Sequence, residues 1–483
     1  MSTIYGCNTM RVSTTKVRCD RHRRRRSHIK INPSHDATYV FTEGGLVRQR
    51  LNWIAAHGLL RGTARLAARL GDVQSRLVAD PMVMANPAPF CDELRAIGPV
   101  VSSYGTHLVV SHAIAHELLR SEDFEVVSLG SNLPAPMRWL ERRTRDDTPH
   151  LLLPPSLLAV EPPNHTRYRK AVSSVFTPKA VAGLRDHVEE TASALLDQLT
   201  DQASAVDIIA RYCSQLPVAV ICDILGVPSR DRNRVLKFGQ LAGPCLDFGL
   251  TWRQHQQVRQ GLQGLHFWIT EHLEELRSNP GDDLMSQMIH ASENGSSETH
   301  LHATEVRMIG LVLGASFATT MDLLGNGIQV LLDAPELRDA LSQRPQLWPN
   351  AVEEILRLEP PVQLAGRMAR KDTEVAGTAI KRGQLVAIYL GAVNRDPSVF
   401  ADPHRFDITR ANANRHLAFS GGRHFCLGAA LARVEGEVGL RMLFERFPDV
   451  RAAGPGNRRD TRTLRGWSQL PVQLGAARSM AIR

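Results

Sequence analysis

Cys426 lies in the segment Phe419-Ser420-Gly421-Gly422-Arg423-His424-Phe425-Cys426-Leu427-Gly428, two residues after a histidine, and a run of good helix formers follows to Leu440. Glycines at 421, 422 and 428 let the backbone turn tightly and leave room for a flat ligand to approach. A sulfur placed just before a helix N-terminus meets the positive end of the helix dipole, which favours the thiolate. Three kinds of chemistry fit these residue types. The cysteine can be a buried structural residue. It can join His416 and His424 around zinc, although structural zinc wants four closely spaced ligands and no Cys-x-x-Cys occurs in the chain. It can also ligate a larger metal group through its thiolate.

Other positions carry charge at helical spacing. His165 and Arg169 stand four residues apart behind Pro162-Pro163, which set a helix start, so both project from one face. Glu354 and Arg357 stand three apart just before Leu358-Glu359-Pro360-Pro361, and Glu274 with Arg277 repeats that spacing as a surface pair. By pattern alone, a solvated face explains each of these as well as a site does.

The ordered pattern Phe-x-x-Gly-x-His-x-Cys-x-Gly resembles the haem-binding loop of the cytochrome P-450 family, and the resemblance extends over roughly residues 80–475. It implies haem b (iron protoporphyrin IX), with Cys426 as the proximal thiolate ligand, Phe419 beside the sulfur, and Gly422 and Gly428 shaping the loop. It implies that His165, Arg169, Arg367 and His424 hold the two haem propionates. It also implies that Glu354 and Arg357 join Arg405, from Pro403-His404-Arg405-Phe406, in a buried ionic network behind the haem. Met308 to Leu332 resembles the long central helix on the oxygen side, with Thr319 as its catalytic hydroxyl. Members usually carry an acid just before that threonine, and here it is Ala318. Ser316 replaces the glycine that opens a groove for O2, and Asp322 lies on the wrong side to supply the missing acid.

The activity so implied is that of a monooxygenase. One atom of O2 enters a lipophilic small molecule (a polyketide, fatty acyl chain or sterol-like lipid), with electrons from NAD(P)H through a separate ferredoxin reductase and ferredoxin. Arg167, Lys170, Arg423 and Arg433 are the expected docking cations. The substrate-facing segments are 126–160, 242–252 and 311–320. A haem-binding relative with impaired or atypical oxidation chemistry is the second reading, and a nucleic-acid-binding protein is a remote third.

Composition sets bounds on these readings. The net charge of +9 is mostly local, because residues 1–30 hold nine Lys or Arg against the single acid Asp20. That leaves a nearly neutral body with no nucleic-acid footprint and reads residues 1–45 as a disordered basic extension. Seven irregularly spaced cysteines suggest no disulfide framework and fit a reducing, cytoplasmic setting. Met308–Met321, the longest uncharged apolar-rich run, is shorter than a membrane span.

The positioning elements are mostly helical. Strand-like pieces flank a turn at Tyr104-Gly105, and two more are expected at Thr373–Ile380 and Gln384–Tyr389. Residues 126–160 lack a clean period and read as a long functional loop. Hydrophobic content of 43% supplies an ample core. The expected fold class is mainly α with a small β-sheet, the cytochrome P-450 fold, formed by one haem domain over residues 46–483.

Overall fold

Amphipathic spacing decides most of the architecture. The computed structural model describes residues 43–103, 106–200, 204–294 and 300–478, and it is dominated by helices that bury one apolar face in a shared core. The cysteine helix, Ala429–Arg446, packs against Arg185–Asp197, Phe317–Leu332 and Trp348–Leu358. Gly327 allows one of these close approaches, since a Cβ there would stand 2.7 Å from Leu440 on the cysteine helix. Trp252–Ser278, the longest helix, starts from a capping box in which Thr251 and Gln254 satisfy each other's backbone N–H groups.

One five-stranded sheet positions a key arginine. Its order is Val100–Ser103, Thr106–Val109, Leu385–Tyr389, Leu364–Ala369, Phe124–Val126. Only the Thr106–Val109 to Leu385–Tyr389 pairing is parallel, and Arg367 sits in register between Val386 and Val126. Flanked on both sides, it cannot swing away from the sheet.

Several sequence expectations change. The tract 126–160 is not one long loop, because Ala135–Thr144 is a helix started by Pro134. Thr373–Ile380 is two short strands, Thr373–Val375 and Thr378–Ile380, joined at Ala376 and Gly377, which both have positive φ. Arg277 pairs with Glu293 at 3.5 Å, not with Glu274. Among the described residues, the helical run Ala303–Leu332 is long and apolar enough to cross a membrane, with mean hydropathy 1.5. Since 78% of that window is buried inside the protein, it has the character of a core helix. The hairpin turn at 104–105 and nearly all of the 1–45 extension lie outside the described residues.

Three imidazoles under the first helices make stability pH-dependent. His57 and His255 are buried, with ring centroids 5.5 Å apart, and His150 lies in the same small cavity. Burial first, then neighbouring cations, lowers His57 and His150 to about 3 and His255 to about 4. Unfolded histidines take up protons below pH ~6.5, whereas these stay neutral in the fold. Their stabilisation is therefore complete above pH ~6.5 and falls as the pH drops toward 3–4. Each adds a slope of up to ~1.4 kcal/mol per pH unit. Denaturant midpoints should fall between pH 6.5 and 5, where Glu161, Glu305 and Glu353, held at about 2, contribute little, and where Asp322 and Glu435, raised by burial to about 6 and about 8, offset part of the slope. His57→Gln should flatten that slope, and an unchanged slope would show that the cavity admits protons freely.

Candidate active site

The cysteine loop is fixed from within. The Cys426 N–H donates to Phe419 O at 2.9 Å, closing the loop on itself. Gly422 has φ +64, and a Cβ there would stand 2.3 Å from Leu119 O, so the loop requires glycine at this position. Arg433 lies over the Phe419 ring at 4.5 Å and pairs with Glu353. Of the five described cysteines only Cys426 is exposed, while Cys91, Cys213, Cys222 and Cys245 are buried with thiols pushed up by burial. Surrounding protein also raises the Cys426 thiol, but the Gly428 N–H, Arg169 and Arg433 act the other way. Those three groups favour a thiolate, and the exposure of Cys426 leaves its side chain approachable.

The zinc reading fails at His416. Its Nε2 bonds Glu353 at 3.0 Å, and no group of three or more His, Cys, Asp or Glu among the described residues is placed to hold a metal ion. A single-cysteine thiolate site remains.

Beside it the structure gathers the four cationic or hydrogen-bonding groups expected from sequence. His165, buried on the Asn164–Val172 helix, lies against His424 with ring centroids 4.2 Å apart and planes tilted by 54°. Burial, His424 and Arg169 lower it to about 4. Arg169 donates to Phe425 O at 2.8 Å. The buried Arg367 donates only to its neighbour Gly366 O at 2.9 Å, and burial lowers it to about 10. His424 Nε2 is buried without a hydrogen bond, with the Glu161 carboxylate 3.4 Å away. Buried guanidiniums and imidazole N–H groups seek anionic or accepting partners, and this cluster holds one carboxylate, Glu161, for two arginines and two histidines in addition to Arg423. The donor set therefore fits the two propionates that a haem held beside Cys426 would bring.

Glu161 was not singled out in the sequence. It accepts from Val126 N and Arg423 and, despite burial, is held at about 2 by His424 and these donors. It pins the strand, the cysteine loop and the Pro162-Pro163 corner together. Its signal was an acid opening a basic stretch, which in a linear chain looks like an ordinary surface charge.

The ionic network forms with a different arginine. Glu354 and Arg357 are fully buried and bonded twice, at 2.7 and 2.8 Å. Their partner is Arg410, whose Nε reaches Glu354 Oε1 at 2.9 Å, and not Arg405, whose side chain is exposed. Arg405 contributes only its backbone carbonyl, which accepts from Arg357 and Arg410 at 3.1 Å. Both arginines lie on one irregular stretch, and chain spacing alone does not tell which turns inward.

The central helix is two helices. Ala303–Ala315 ends and Phe317–Leu332 begins around Ser316. Leu313 O accepts from both N and Oγ of Ser316, and Ser316 O accepts from both N and Oγ1 of Thr319. Side-chain hydroxyls thus break the ladder at Ser316, the position where family members usually carry a glycine. Thr319 is half-buried and bonds Ser316 O at 3.0 Å. Thr320 instead bonds the buried Glu435, tying this helix to the cysteine helix. Ala318 is buried near Gly243, and Asp322 is buried against Arg459, so neither offers a free acid.

The expected docking cations are largely committed elsewhere. Arg167 pairs with Glu305 at 2.7 Å, Arg423 with Glu161 at 3.1 Å and Arg433 with Glu353. Each is neutralised within the fold, which the sequence could not show because the three acids are 80 to 262 residues away.

The three segments expected to face substrate do converge. Leu151 and Leu158, Ala242, Cys245 and Leu250, and Leu311, Val312 and Ala315 belong to one apolar cluster.

Comparison with known proteins agrees with this geometry. The family model "Cytochrome P450" matches residues 241–450. The chain is 62% identical over 435 residues to "Putative cytochrome P450 140" of Mycobacterium tuberculosis, covering 90% of this chain and 99% of that protein. It is 38% identical over 324 residues to "Polyketide biosynthesis cytochrome P450 PksS" of Bacillus subtilis, covering 66% and 77%. Mycobacterium smegmatis CYP164A2 with econazole bound superposes with a TM-score of 0.74 at 30% identity, covering 83% and 99%. A lone approachable cysteine before a buried helix, a cluster of under-paired cations beside it, and these matches lead to one conclusion: the chain belongs to the cytochrome P450 family and is a haem-iron oxidoreductase of the monooxygenase type.

Proposed function

We propose that the protein uses haem b, held by Cys426 and by His165, Arg169, Arg367 and His424, to hydroxylate a lipophilic metabolite of the polyketide type. The observation that carries the substrate class is the apolar cluster joining the three substrate-facing segments. The Bacillus relative's name points to polyketide biosynthesis. Haem iron, when bound, activates O2 using two electrons and two protons. The protein's own residues do the rest. The Gly428 N–H, Arg169 and Arg433 stabilise the Cys426 thiolate, and the cation cluster seats the propionates. Thr319 Oγ1, which donates to Ser316 O, is the hydroxyl that would hold and pass a proton. Electrons come from a ferredoxin and its reductase in the cytoplasm. Exposed Arg120, beside Gly421 and bonded only to the His116 carbonyl, is a better docking cation than the paired arginines. The test is binding and turnover of a macrolactone panel by the reconstituted holoenzyme, read from the haem spectrum and by product mass. Uniform failure across that panel, with turnover of fatty acids or sterols, would move the substrate class.

The missing acid has a measurable consequence. A positioned proton donor or acceptor contributes about 10²–10⁴-fold, and Ala318 supplies none. Product formed per NAD(P)H consumed should be well below one, with the remainder lost as hydrogen peroxide. Ala318→Glu should raise that ratio, and Thr319→Ala should lower it. A wild-type ratio near one that falls on adding the acid would show that protons arrive by another route.

A further inference from the structure

We propose that the outward face of residues 47–70 docks on an anionic lipid bilayer. The stretch runs as helix Glu43–Trp53, a π-turn Ile54–Gly58 and helix Leu59–Arg69. Its inner face is anchored: Asn52 donates to Glu141 O at 3.0 Å, Trp53 to Leu250 O at 2.8 Å, and Arg61 to Gly249 O at 2.6 Å. Ala55, His57, Ala64 and Ala67 are buried beneath it. What faces out is therefore fixed by the fold, and it is aliphatic. Val47 is 60% exposed, Leu66 60% and Leu70 72%, with Leu51, Ile54 and Leu59 also exposed.

The π-turn keeps these residues in line. In an unbroken α-helix the five-residue step from Ile54 to Leu59 would rotate the chain about 140° off the stripe. A turn that takes more residues removes most of that rotation. The result is an apolar stripe about 36 Å long, from the helical rise over residues 47–70.

Charge identifies the occupant. Residues 44–71 contain five arginines and no acid. Arg50, Arg65 and Arg69 are exposed. The neighbouring helix Ala135–Thr144 is held to this one through Asn52 and Arg48, and it presents Trp139, 65% exposed, one turn before exposed Arg142 and Arg143. The basic residues 1–30 precede the stripe in the chain. Aliphatic and Trp side chains bordered by arginine suit a helix lying in the plane of a bilayer surface, with the cations on anionic headgroups. A second copy of the chain would bring the same arginines against one another, so self-association through this face is disfavoured.

The test uses the full-length holoenzyme and vesicles of pure phosphatidylcholine or of equimolar phosphatidylcholine and phosphatidylglycerol, at physiological ionic strength. The protein should co-sediment with the anionic vesicles at least about tenfold more strongly than with the neutral ones. Leu66→Gln with Leu70→Gln leaves charge unchanged and alters exposed side chains only. It should weaken that binding about tenfold or more while the haem spectrum and thermal midpoint stay as in wild type. No retention on anionic vesicles would overturn the proposal. So would unchanged binding by the double variant, since the basic tail alone would then account for adsorption. A dimer that ignores vesicles and dissociates in the double variant would assign the face to a second copy instead.

Discussion

Cys426→Ala is expected to abolish monooxygenase turnover altogether. The thiolate-type band of the reduced CO complex should disappear, and product should fall below detection with any electron supply. The size of the effect follows from the loop. Four other described cysteines are buried in packed core and cannot move to the site, and the Gly428 N–H and the charges of Arg169 and Arg433 act on the sulfur at this position alone. The fold should survive, because Cys426 is not part of the hydrophobic core and its backbone bond to Phe419 does not need the sulfur. A variant that kept both the CO band and product formation would remove Cys426 from the site.

Glu354→Ala should be the most destabilising single change in the site's support. It strips one carboxylate from two buried guanidiniums, Arg357 and Arg410, and also removes the acceptor for Asp407 N at 3.0 Å. Breaking a buried pair from one side costs about 3–5 kcal/mol, a large share of the ~5–15 kcal/mol that holds a typical domain. Denaturant midpoint and haem content should fall together, because Arg357 also holds the carbonyls of Asn394 and Pro403 near the cysteine loop. Arg405→Ala is the discriminating partner. Its side chain is exposed and only its carbonyl is used, so stability should stay within about 0.5 kcal/mol of wild type. Arg410→Ala should resemble Glu354→Ala. If Arg405→Ala proved the more damaging of the two arginine changes, the network drawn here would be wrong.

The local motifs were legible because their chemistry is local. A ten-residue loop carries its own glycines, histidine and cysteine, so Cys426, Phe419, Gly422, His424 and Gly428 could be named by likeness to a family's loop, whereas the residue types alone left structural, zinc and larger metal-group readings open. His165 and Arg169 were legible because helical spacing sets both on one face. Arg367 was legible only through family likeness, since a lone strand arginine has no local signature. The mainly helical character with a minor share of strand followed from periodicity.

What the linear order left undetermined depends on distant partners. Whether Arg405 or Arg410 enters the core was settled by which could reach a fully buried carboxylate more than fifty residues earlier in the chain. Glu161 acquired its role only when the sheet edge, the cysteine loop and the Asn164–Val172 helix met around it. The arginines expected on the docking face were neutralised by acids far along the chain. The helix break at Ser316 was not foreseen, and it arises where two hydroxyls take over carbonyls that the ladder releases. Sequence by itself determined which residues can do chemistry, since donor type and short spacing are written there. Tertiary structure alone decided which charges are buried together, because a charge's partner and its dielectric surroundings are fixed only by packing.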